Sequence, residues 1–386
     1  MSETRPLGGK IWTKPMKVLS VFAALGLFFI AKRFLLGIGA VSNMSDGYPW
    51  GIWIAYDVVV GTALACGGYS MALLIYVFNR GEFHHALRPA LLTSMFGYTL
   101  AGVSVMFDIG RYWQSYNLFI PGRSQFNSVL FEIALCIALY TAVLWIEFSP
   151  SFLEKMREKG KLKLLNRVLF VFIALGVLLP TMHQSSLGTL LLIAGSKVSP
   201  LWHTSLMPLL FLTSAIAMGY AVVILESIIS SISFRIPFET KMLGKIAGVV
   251  PYLVIVFLMV RIGDVVYRGQ LGAIFNGSLN GFVFVLENVL YLASVVLLLP
   301  RSKRESKQRL FIAASCLLFA GAGYRFNTFL VGFDPGPGWS YFPSFSELSV
   351  SLGLVALEIM GYIVFVKKLP VLPGRSPARN VMKVVQ

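Results

Sequence analysis

The sequence predicts an all-α protein that crosses a membrane ten times. Of its 386 residues, 56% are hydrophobic and only 13% are charged, and the mean hydropathy is +0.75. The apolar residues form ten long runs, and Lys and Arg are concentrated in every second connection between them. A spanning helix needs about 20 apolar residues at a rise of about 1.5 Å per residue. Each run is long enough to be one.

The ten runs are numbered here as spans 1 to 10 in chain order. They cover residues 18–38, 51–78, 87–108, 127–149, 165–182, 203–232, 246–267, 279–300, 310–332 and 346–369. Span 1 follows several lysines and ends in small residues, as a signal peptide does. Its run is longer than the about 7–15 residues of a signal-peptide core. We therefore predict that span 1 is a retained helix.

The distribution of Lys and Arg predicts the orientation of the chain. The N-terminal segment, the connections after even-numbered spans and the C-terminal segment together hold 25 of the 33 basic residues, whereas the connections after odd-numbered spans hold 4. By the positive-inside rule, both termini are cytoplasmic and residues 370–386 form a cytoplasmic tail. A net charge of +16 also suits a nucleic-acid-binding protein. Here, however, the basic residues lie between apolar runs and form no groove-facing stripe, which argues against that class.

The cysteines and histidines do not form the patterns of metal or haem sites. The three cysteines lie singly in different spans, at Cys66, Cys136 and Cys316. Iron–sulfur and zinc sites need closely spaced thiolates, so we predict no iron–sulfur cluster and no metal site in this chain. A membrane haem needs axial ligands at facing depths, and the sequence shows no pair of mid-span histidines. His183 and His203 are placed at the outer ends of spans 5 and 6, and no haem is expected.

Ionisable residues inside the spans are the strongest indication of function. Each costs about 2.5–3.5 kcal/mol near a helix centre, so such residues usually face the bundle interior and mark a path for protons, ions or substrate. They are Asp57, Asp108, Glu132, Glu226, Arg261, Asp264, Glu287, Arg325 and Glu358. Structural explanations stay open for each: a carboxylate tied to Arg or Ser, or a solvated residue at the membrane boundary.

Counting residues from each span end predicts how deep these groups lie. Asp57 and Glu132 fall about 8–9 Å below the outer ends of their spans, and Asp108 lies at the outer end of span 3. Tyr98 falls at mid-depth in span 3, and Glu226 lies in the inner half of span 6. The sequence thus predicts an outer polar cluster that continues toward the cytoplasm.

A weak internal repeat predicts the helical organisation. Span 3 ends in Asp108-Ile-Gly-Arg111, and span 7 ends in Arg261-Ile-Gly-Asp264, with the charges exchanged. The starts of spans 4 and 8 also correspond, since each has Asn followed shortly by a carboxylate. We therefore predict two four-helix bundles, residues 51–182 and 203–332, that are related by a parallel repeat and flanked by spans 1 and 10. Together they form a single membrane domain.

Several local motifs carry a family resemblance. They are Gly47-Tyr-Pro-Trp50-Gly-Ile-Trp53-Ile-Ala-Tyr-Asp57 with Gly67-Gly68, Phe78-Asn-Arg-Gly81 before Arg88-Pro-Ala-Leu91, Asp108-Ile-Gly-Arg111-Tyr-Trp113, Leu179-Pro-Thr-Met-His183-Gln-Ser-Ser186, and Tyr341-Phe-Pro343. Together they resemble the NrfD/polysulfide-reductase membrane-subunit family over nearly the whole chain. The resemblance is nearest to the branch found in hydrogenase-2-type complexes.

The resemblance implies a subunit without haem or iron–sulfur cluster in a respiratory oxidoreductase complex of the bacterial inner membrane. Such a subunit exchanges electrons between membrane quinone, either menaquinone or ubiquinone, and an iron–sulfur subunit docked on the periplasmic face. Through that partner it is linked to a catalytic subunit such as a nickel–iron hydrogenase, and it is not catalytic alone. No nucleic acid is involved, and lipid is the surrounding medium.

The resemblance also implies roles for particular residues. Those expected at the quinone head group are His183, Gln184, Tyr112, Arg111, Asp108 and Trp50. Those expected to carry protons are Glu132, Asp57, Tyr98 and Glu226, with Arg88 holding a nearby carboxylate ionised. Quinone reduction takes up two protons with two electrons, so donors at the carbonyl oxygens and a proton route are both required.

Two other functions remain open on sequence alone. A secondary transporter also uses repeats, buried carboxylates and helices interrupted by Gly or Pro. A purely structural anchor would bind the partner subunit without binding quinone, and it would not need so many ionisable residues inside the membrane. The roles of Arg261, Glu287 and Arg325 stay undetermined by the sequence.

Overall fold

The computed structural model describes residues 4–374, and residues 375–386 of the predicted tail lie outside this range. Ten helices in it are long and apolar enough to cross a membrane. They are α1 (Lys14–Leu36), α2 (Trp53–Val77), α3 (Gly81–Asp108), α4 (Val129–Met156), α5 (Lys159–Lys197), α6 (Met207–Phe234), α7 (Thr240–Tyr267), α8 (Leu279–Leu298), α9 (Lys307–Val331) and α10 (Phe345–Lys368). The predicted all-α fold with ten spans is confirmed. "Outer" and "cytoplasmic" below refer to the two ends of the bundle as predicted by the charge distribution.

The largest difference from the predicted boundaries is in α5. The apolar run stops at residue 182, yet the helix continues to Ala194 and a short 3₁₀ turn extends it to Lys197. His183 and Gln184 are fully buried there. Neighbouring helices shield these polar side chains from lipid, so the helix needs no apolar residues at these positions. His183 therefore lies well inside the membrane region, and its predicted position at an outer helix end is wrong.

The helices pack in two groups. Helices α2 to α5 pack in chain order, and α6 to α9 also pack in order, with α9 returning to contact α6. Helix α2 lies between the groups and contacts α6 and α9. Helices α5 and α6 also pack against each other, so the two groups share a further contact. The division into two bundles stays a prediction from the repeat. Helices α1 and α10 form a separate pair, and α10 also contacts α2 and α3.

The α1–α10 pair depends on two glycines that allow the backbones to approach closely. A Cβ placed on Gly26 would lie 2.8 Å from the Cα of Gly353, and one on Gly353 would lie 2.7 Å from the Cα of Gly26. Small residues allow such contacts where lipid-facing helices gain little from hydrophobic association. The pair holds α10 against the first bundle.

The backbone of α2 is irregular around Asp57, which is predicted from the sequence to carry protons. Its first eight residues, Trp53–Val60, form π-helical turns that contain Asp57. Such π-turns are rare in proteins overall, and many of those that do occur lie at functional sites. Here they place the Asp57 carboxylate toward α3 and α10.

Candidate functional site

A cavity of about 430 Å³ lies among α2, α3, α6 and α10. Its walls are mainly apolar, but three carboxylates line it: Asp57, Glu226 and Glu358. A water molecule needs only about 10–15 Å³ of such space. The cavity is therefore large enough for several waters, and the three carboxyl groups offer polar partners for them.

Asp57 occupies the outer end of this cavity and is 9% exposed. Its Oδ2 accepts hydrogen bonds from the hydroxyls of Ser104 on α3 (3.2 Å) and Ser351 on α10 (2.8 Å). No Arg or Lys within the described chain forms an ion pair with it. Its partners are hydroxyl groups, which can donate a hydrogen bond to a carboxylate or accept one from a carboxylic acid.

Glu226 lies at the inner end of the cavity and has the same kind of partners. The hydroxyl of Tyr362 on α10 donates to Oε1 at 2.7 Å, and that of Thr93 on α3 donates to Oε2 at 3.0 Å. A smaller pocket of about 60 Å³ shares Glu226 with the main cavity and is lined on its cytoplasmic side by His85 and Glu239. Glu226 thus borders both the membrane cavity and a pocket near the cytoplasmic end.

Glu358 lies between these two carboxylates along the cavity. Its Oε1 is 3.5 Å from the position that a Cβ on Gly97 would occupy. This is an ordinary contact distance, whereas the same Cβ would lie 2.6 Å from the Cβ of Ala65 on α2, so Gly97 is required by the close packing of α2 and α3. Among residues 4–374, no hydrogen bond to the Glu358 carboxyl group is found, so this group faces the cavity without a fixed partner.

A second polar cluster lies on the other side of α3, inside the first bundle. The amide nitrogen of Gln184 donates to Tyr98 Oη and to Thr62 Oγ1, both at 3.2 Å. His183 Nε2 is 3.3 Å from the same Thr62 hydroxyl, and its ring packs on that of Tyr98. His183 Nδ1 and Gln184 Oε1 are buried without a hydrogen-bond partner. We call Thr62, Tyr98, His183 and Gln184 the core cluster.

Glu132 and Arg88 lie at opposite ends of the first bundle. Glu132 accepts a hydrogen bond from Ser186, one turn toward the outer end of α5 from His183, at 2.8 Å. At the cytoplasmic end, Arg88 binds both carboxylate oxygens of Glu154, at 2.5 and 2.8 Å. The predicted pairing of Arg88 with a carboxylate is therefore found, and its partner is Glu154.

The outer end of α3 forms a third group. Arg33 donates to the carbonyls of Phe107 (2.7 Å) and Ile109 (2.5 Å), and its guanidinium stacks on the ring of Tyr112. Asp108 interacts with the backbone of Gly51 and lies within electrostatic reach of Arg33. These contacts close the last turn of α3 by satisfying carbonyls that lack helical partners.

The six residues expected at the quinone head group therefore occupy three places. Asp108, Arg111 and Tyr112 lie together at the outer end of α3, whereas His183 and Gln184 belong to the core cluster. Trp50 donates to the carbonyl of Phe329 at 2.8 Å and packs on the rings of Phe329 and Phe333. No hydrogen bond or ring contact joins Trp50 to Tyr112 in the described part of the chain.

Sequence reasoning missed the hydroxyl groups that bind the cavity carboxylates. Those groups are Thr93, Ser104, Ser351 and Tyr362. Their spacing offers one indication: Ser351, Glu358 and Tyr362 follow one another at seven and four residues, which places them on one face of a helix. Nothing in the sequence shows that this face meets Asp57 and Glu226.

The second bundle contains a buried ion pair of a different kind. Arg261 Nη2 donates to Glu287 Oε2 at 2.5 Å, and the two side chains are 2% and 3% exposed. Asn327 and Trp202 also donate to the Glu287 carboxylate. Arg261 additionally stacks on Phe284 and Tyr324. Both oxygens of Glu287 are thus held by fixed donors.

Comparison with known proteins gives a family and several relatives. The family model described as polysulphide reductase, NrfD, matches residues 40–332. The probable Ni/Fe-hydrogenase 2 b-type cytochrome subunit of Escherichia coli (strain K12) is 42% identical over 96% of this chain and 95% of its own length. The integral membrane subunit of the menaquinone reductase of Nitratidesulfovibrio vulgaris is 25% identical over 94% of this chain and 92% of its own length.

The name of the Escherichia coli relative includes a b-type cytochrome, and a haem would need suitable axial ligands in this chain. A haem bound by two histidines needs both at facing depths within the bundle. Within residues 4–374, His183 is the one histidine far from a helix end, and its ring is packed on Tyr98 with Nε2 at Thr62. These residues do not fit a bis-histidine haem.

The family match covers all of α2 to α9, and the two relatives align over nearly the whole length of the chain. The ten apolar helices agree with a protein of the bacterial inner membrane. The chain therefore belongs to the NrfD family and is a multi-pass membrane subunit.

Proposed function

We propose that this chain exchanges electrons between membrane quinone and an iron–sulfur subunit docked on its outer face, with a proton route toward the cytoplasm. The carboxylate-lined cavity carries this proposal, because Asp57, Glu358 and Glu226 line one continuous space. The names of the relatives agree with it, since one is an integral subunit of a menaquinone reductase and another of a nickel–iron hydrogenase. The partner of the present chain would be an iron–sulfur subunit linked to a hydrogenase-type catalytic subunit.

The hydroxyl partners of the cavity carboxylates suit proton transfer. A carboxylate bound by Arg is held ionised, since protonating it would leave a buried cation without its counter-charge. Asp57 and Glu226 are bound by hydroxyls, which remain satisfied in either protonation state because they rotate to donate or accept. Each carboxyl group can therefore gain and lose a proton without breaking its contacts.

We place the quinone head group near the outer end of the cavity, within reach of Asp57. Asp108, Arg111 and Tyr112 at the outer end of α3 would border it on the side where the partner docks. The core cluster, which includes His183, Gln184 and Tyr98, would transfer protons inside the first bundle. Glu132, which lies nearer the outer end, would take part in the same transfer. In this arrangement quinone is reduced to quinol by two electrons from the outer iron–sulfur partner and two protons from the cytoplasmic side. In the opposite direction, quinol is oxidised and releases its electrons and protons along the same routes.

The test is Glu226→Gln in the complete complex reconstituted in liposomes. The amide keeps the shape of the side chain and can accept from Tyr362, but it cannot carry a proton. We expect quinone turnover to fall by at least about tenfold, while reduction of an artificial dye by the partner subunits is unchanged. Glu305→Gln is the matched control, since Glu305 is exposed in a cytoplasmic connection.

Three outcomes would contradict the proposal. Full quinone turnover and membrane potential in Glu226→Gln would remove the cavity from the proton route. A purified wild-type chain that transports a solute without any cluster-bearing partner would favour a secondary transporter. Partner binding without quinone turnover in the intact complex would favour a structural anchor.

A further inference from the structure

Helix α10 carries three polar side chains that are spaced along the length of the cavity. Ser351 binds Asp57, Tyr362 binds Glu226, and Glu358 lies between them on the same face of the helix. Ser351 and Tyr362 are 11 residues apart, or about 16 Å along the helix axis. This length spans the depth between the two end carboxylates.

Helix α3 forms the matching wall, running in the opposite direction. Ser104 binds Asp57 and Thr93 binds Glu226, again 11 residues apart, or about 16 Å. Gly97 lies between them, four residues from Thr93, just as Glu358 lies four residues from Tyr362. The carboxyl group of Glu358 lies beside Gly97, with Oε1 3.5 Å from the position that a Cβ there would occupy.

The two antiparallel helices thus bind the end carboxylates with hydroxyls and leave only the middle carboxyl group without a fixed partner. Along the axis, Glu358 is about 6 Å from the level of Glu226 and about 10 Å from the level of Asp57. One or a few waters span such gaps, and the cavity has room for them. Without Glu358, the two end carboxylates would be separated by about 16 Å of mainly apolar cavity with no other carboxyl group in its lining.

We propose that Glu358 is the intermediate proton carrier between Glu226 and Asp57, and that α10 thereby completes the proton route. In each passage the Glu358 carboxylate takes one proton from the Glu226 side and releases one toward Asp57, so its own state is unchanged. Helix α10 lies beyond the residues that the family model matches, which end at 332. The relay therefore uses a residue outside the range that the family model matches.

This inference rests on the proposed quinone-linked function, and the experiment separates the two. Glu358→Gln, Glu226→Gln and the control Glu305→Gln are compared in liposomes for dye reduction, quinone turnover and membrane potential. We expect Glu358→Gln to lower quinone turnover by at least about tenfold with an unchanged KM for quinone. Dye reduction should remain at the wild-type level, and Glu358→Asp should recover part of the turnover.

The outcomes divide clearly. If Glu226→Gln blocks turnover and Glu358→Gln does not, the relay through Glu358 is wrong while the quinone function stands. If neither variant changes turnover, the cavity is not the proton route. If the wild-type complex shows no quinone turnover, the proposed function itself fails.

A measurement on the unaltered protein covers the case in which Glu358→Gln does not assemble. Dicyclohexylcarbodiimide modifies protonated carboxyl groups in apolar surroundings, and peptide mapping locates the label. We expect label at Glu358 and none at Glu287, whose carboxylate is bound by Arg261. Absence of label at Glu358 in a protein labelled at Glu226 would overturn the proposal.

Discussion

The carboxylates Glu226 on α6 and Glu287 on α8 both belong to the predicted second bundle, yet they have opposite kinds of partners. Glu226 accepts from two hydroxyls and faces a cavity. Glu287 accepts from Arg261, Asn327 and Trp202. A buried carboxylate costs free energy in either place, but only the hydroxyl-bound one can change protonation state at little further cost. The comparison therefore separates a group suited to move protons from one suited to hold helices together.

The same contrast extends along the predicted repeat. Ser186 on α5 donates to Glu132 near the start of α4, and Asn327 on α9 donates to Glu287 near the middle of α8. The second bundle adds Arg261 from α7 to this contact, whereas the first bundle adds no cation to Glu132 among the described residues. We infer that the two bundles share an arrangement of helices, that the Glu287 site is structural, and that protons move through the first bundle together with Glu226 on α6 and Glu358 on α10.

The largest effect on stability should come from breaking the ion pair of the second bundle. Arg261→Met leaves Glu287 buried without a counter-charge, which costs about 3–5 kcal/mol. We expect a large loss of assembled protein and a lower Tm of the solubilised complex. The double variant Arg261→Met with Glu287→Gln should recover most of the loss, because neither charge remains.

A wild-type Tm in Arg261→Met would contradict the contrast between the two carboxylates, because Glu287 would then tolerate protonation or solvation as Glu226 does. Glu226→Gln is the matching variant at the hydroxyl-bound carboxylate, and we expect it to leave the Tm of the complex unchanged.

A large effect on turnover without an effect on assembly is expected at Glu132. In Glu132→Gln the amide oxygen still accepts from Ser186, so local packing is kept, but the side chain cannot transfer a proton. Quinone turnover should fall by at least about tenfold, with dye reduction as the internal control. Wild-type turnover would instead make Glu132 a structural carboxylate like Glu287.

The smallest effect on quinone affinity is expected at His183, because the structure buries it in the core cluster. His183→Ala should lower kcat with a KM for quinone within about twofold of wild type, since contacts shared by bound substrate and transition state appear mainly in KM. His203→Ala, near the outer end of α6, is the matched control. A raised KM with unchanged kcat would instead return His183 to the quinone head group.

Hydropathy alone predicted the helices well and the depth of one residue badly. Each apolar run corresponds to a helix, because a chain in lipid must satisfy its backbone hydrogen bonds within each segment. The run of span 5 ended at residue 182 because His183, Gln184 and Ser186 are polar, yet α5 continues since α2, α3 and α4 bury them. Hydropathy measures transfer to lipid, and these residues never meet lipid.

The outer end of α10 illustrates a feature that local sequence does encode. Ser344 and Glu347 form a capping box at the first turn, and Glu347 also accepts from the Tyr341 hydroxyl at 2.7 Å. Burial raises the pKa of Tyr341, so this hydroxyl stays protonated and keeps donating. The three-residue spacing of Ser and Glu is a helix-start pattern that can be read without the fold.

By itself, the sequence determined the ten helices, the asymmetry of charge between the two ends and the set of ionisable residues inside the spans. These properties depend on neighbours along the chain and on transfer from water to lipid, both of which are local. Only the tertiary structure decided which carboxylates share a cavity and which is bound by an arginine. Ser351 reaches Asp57 across 294 residues and Tyr362 reaches Glu226 across 136, and contacts at such separations are set by how the helices pack.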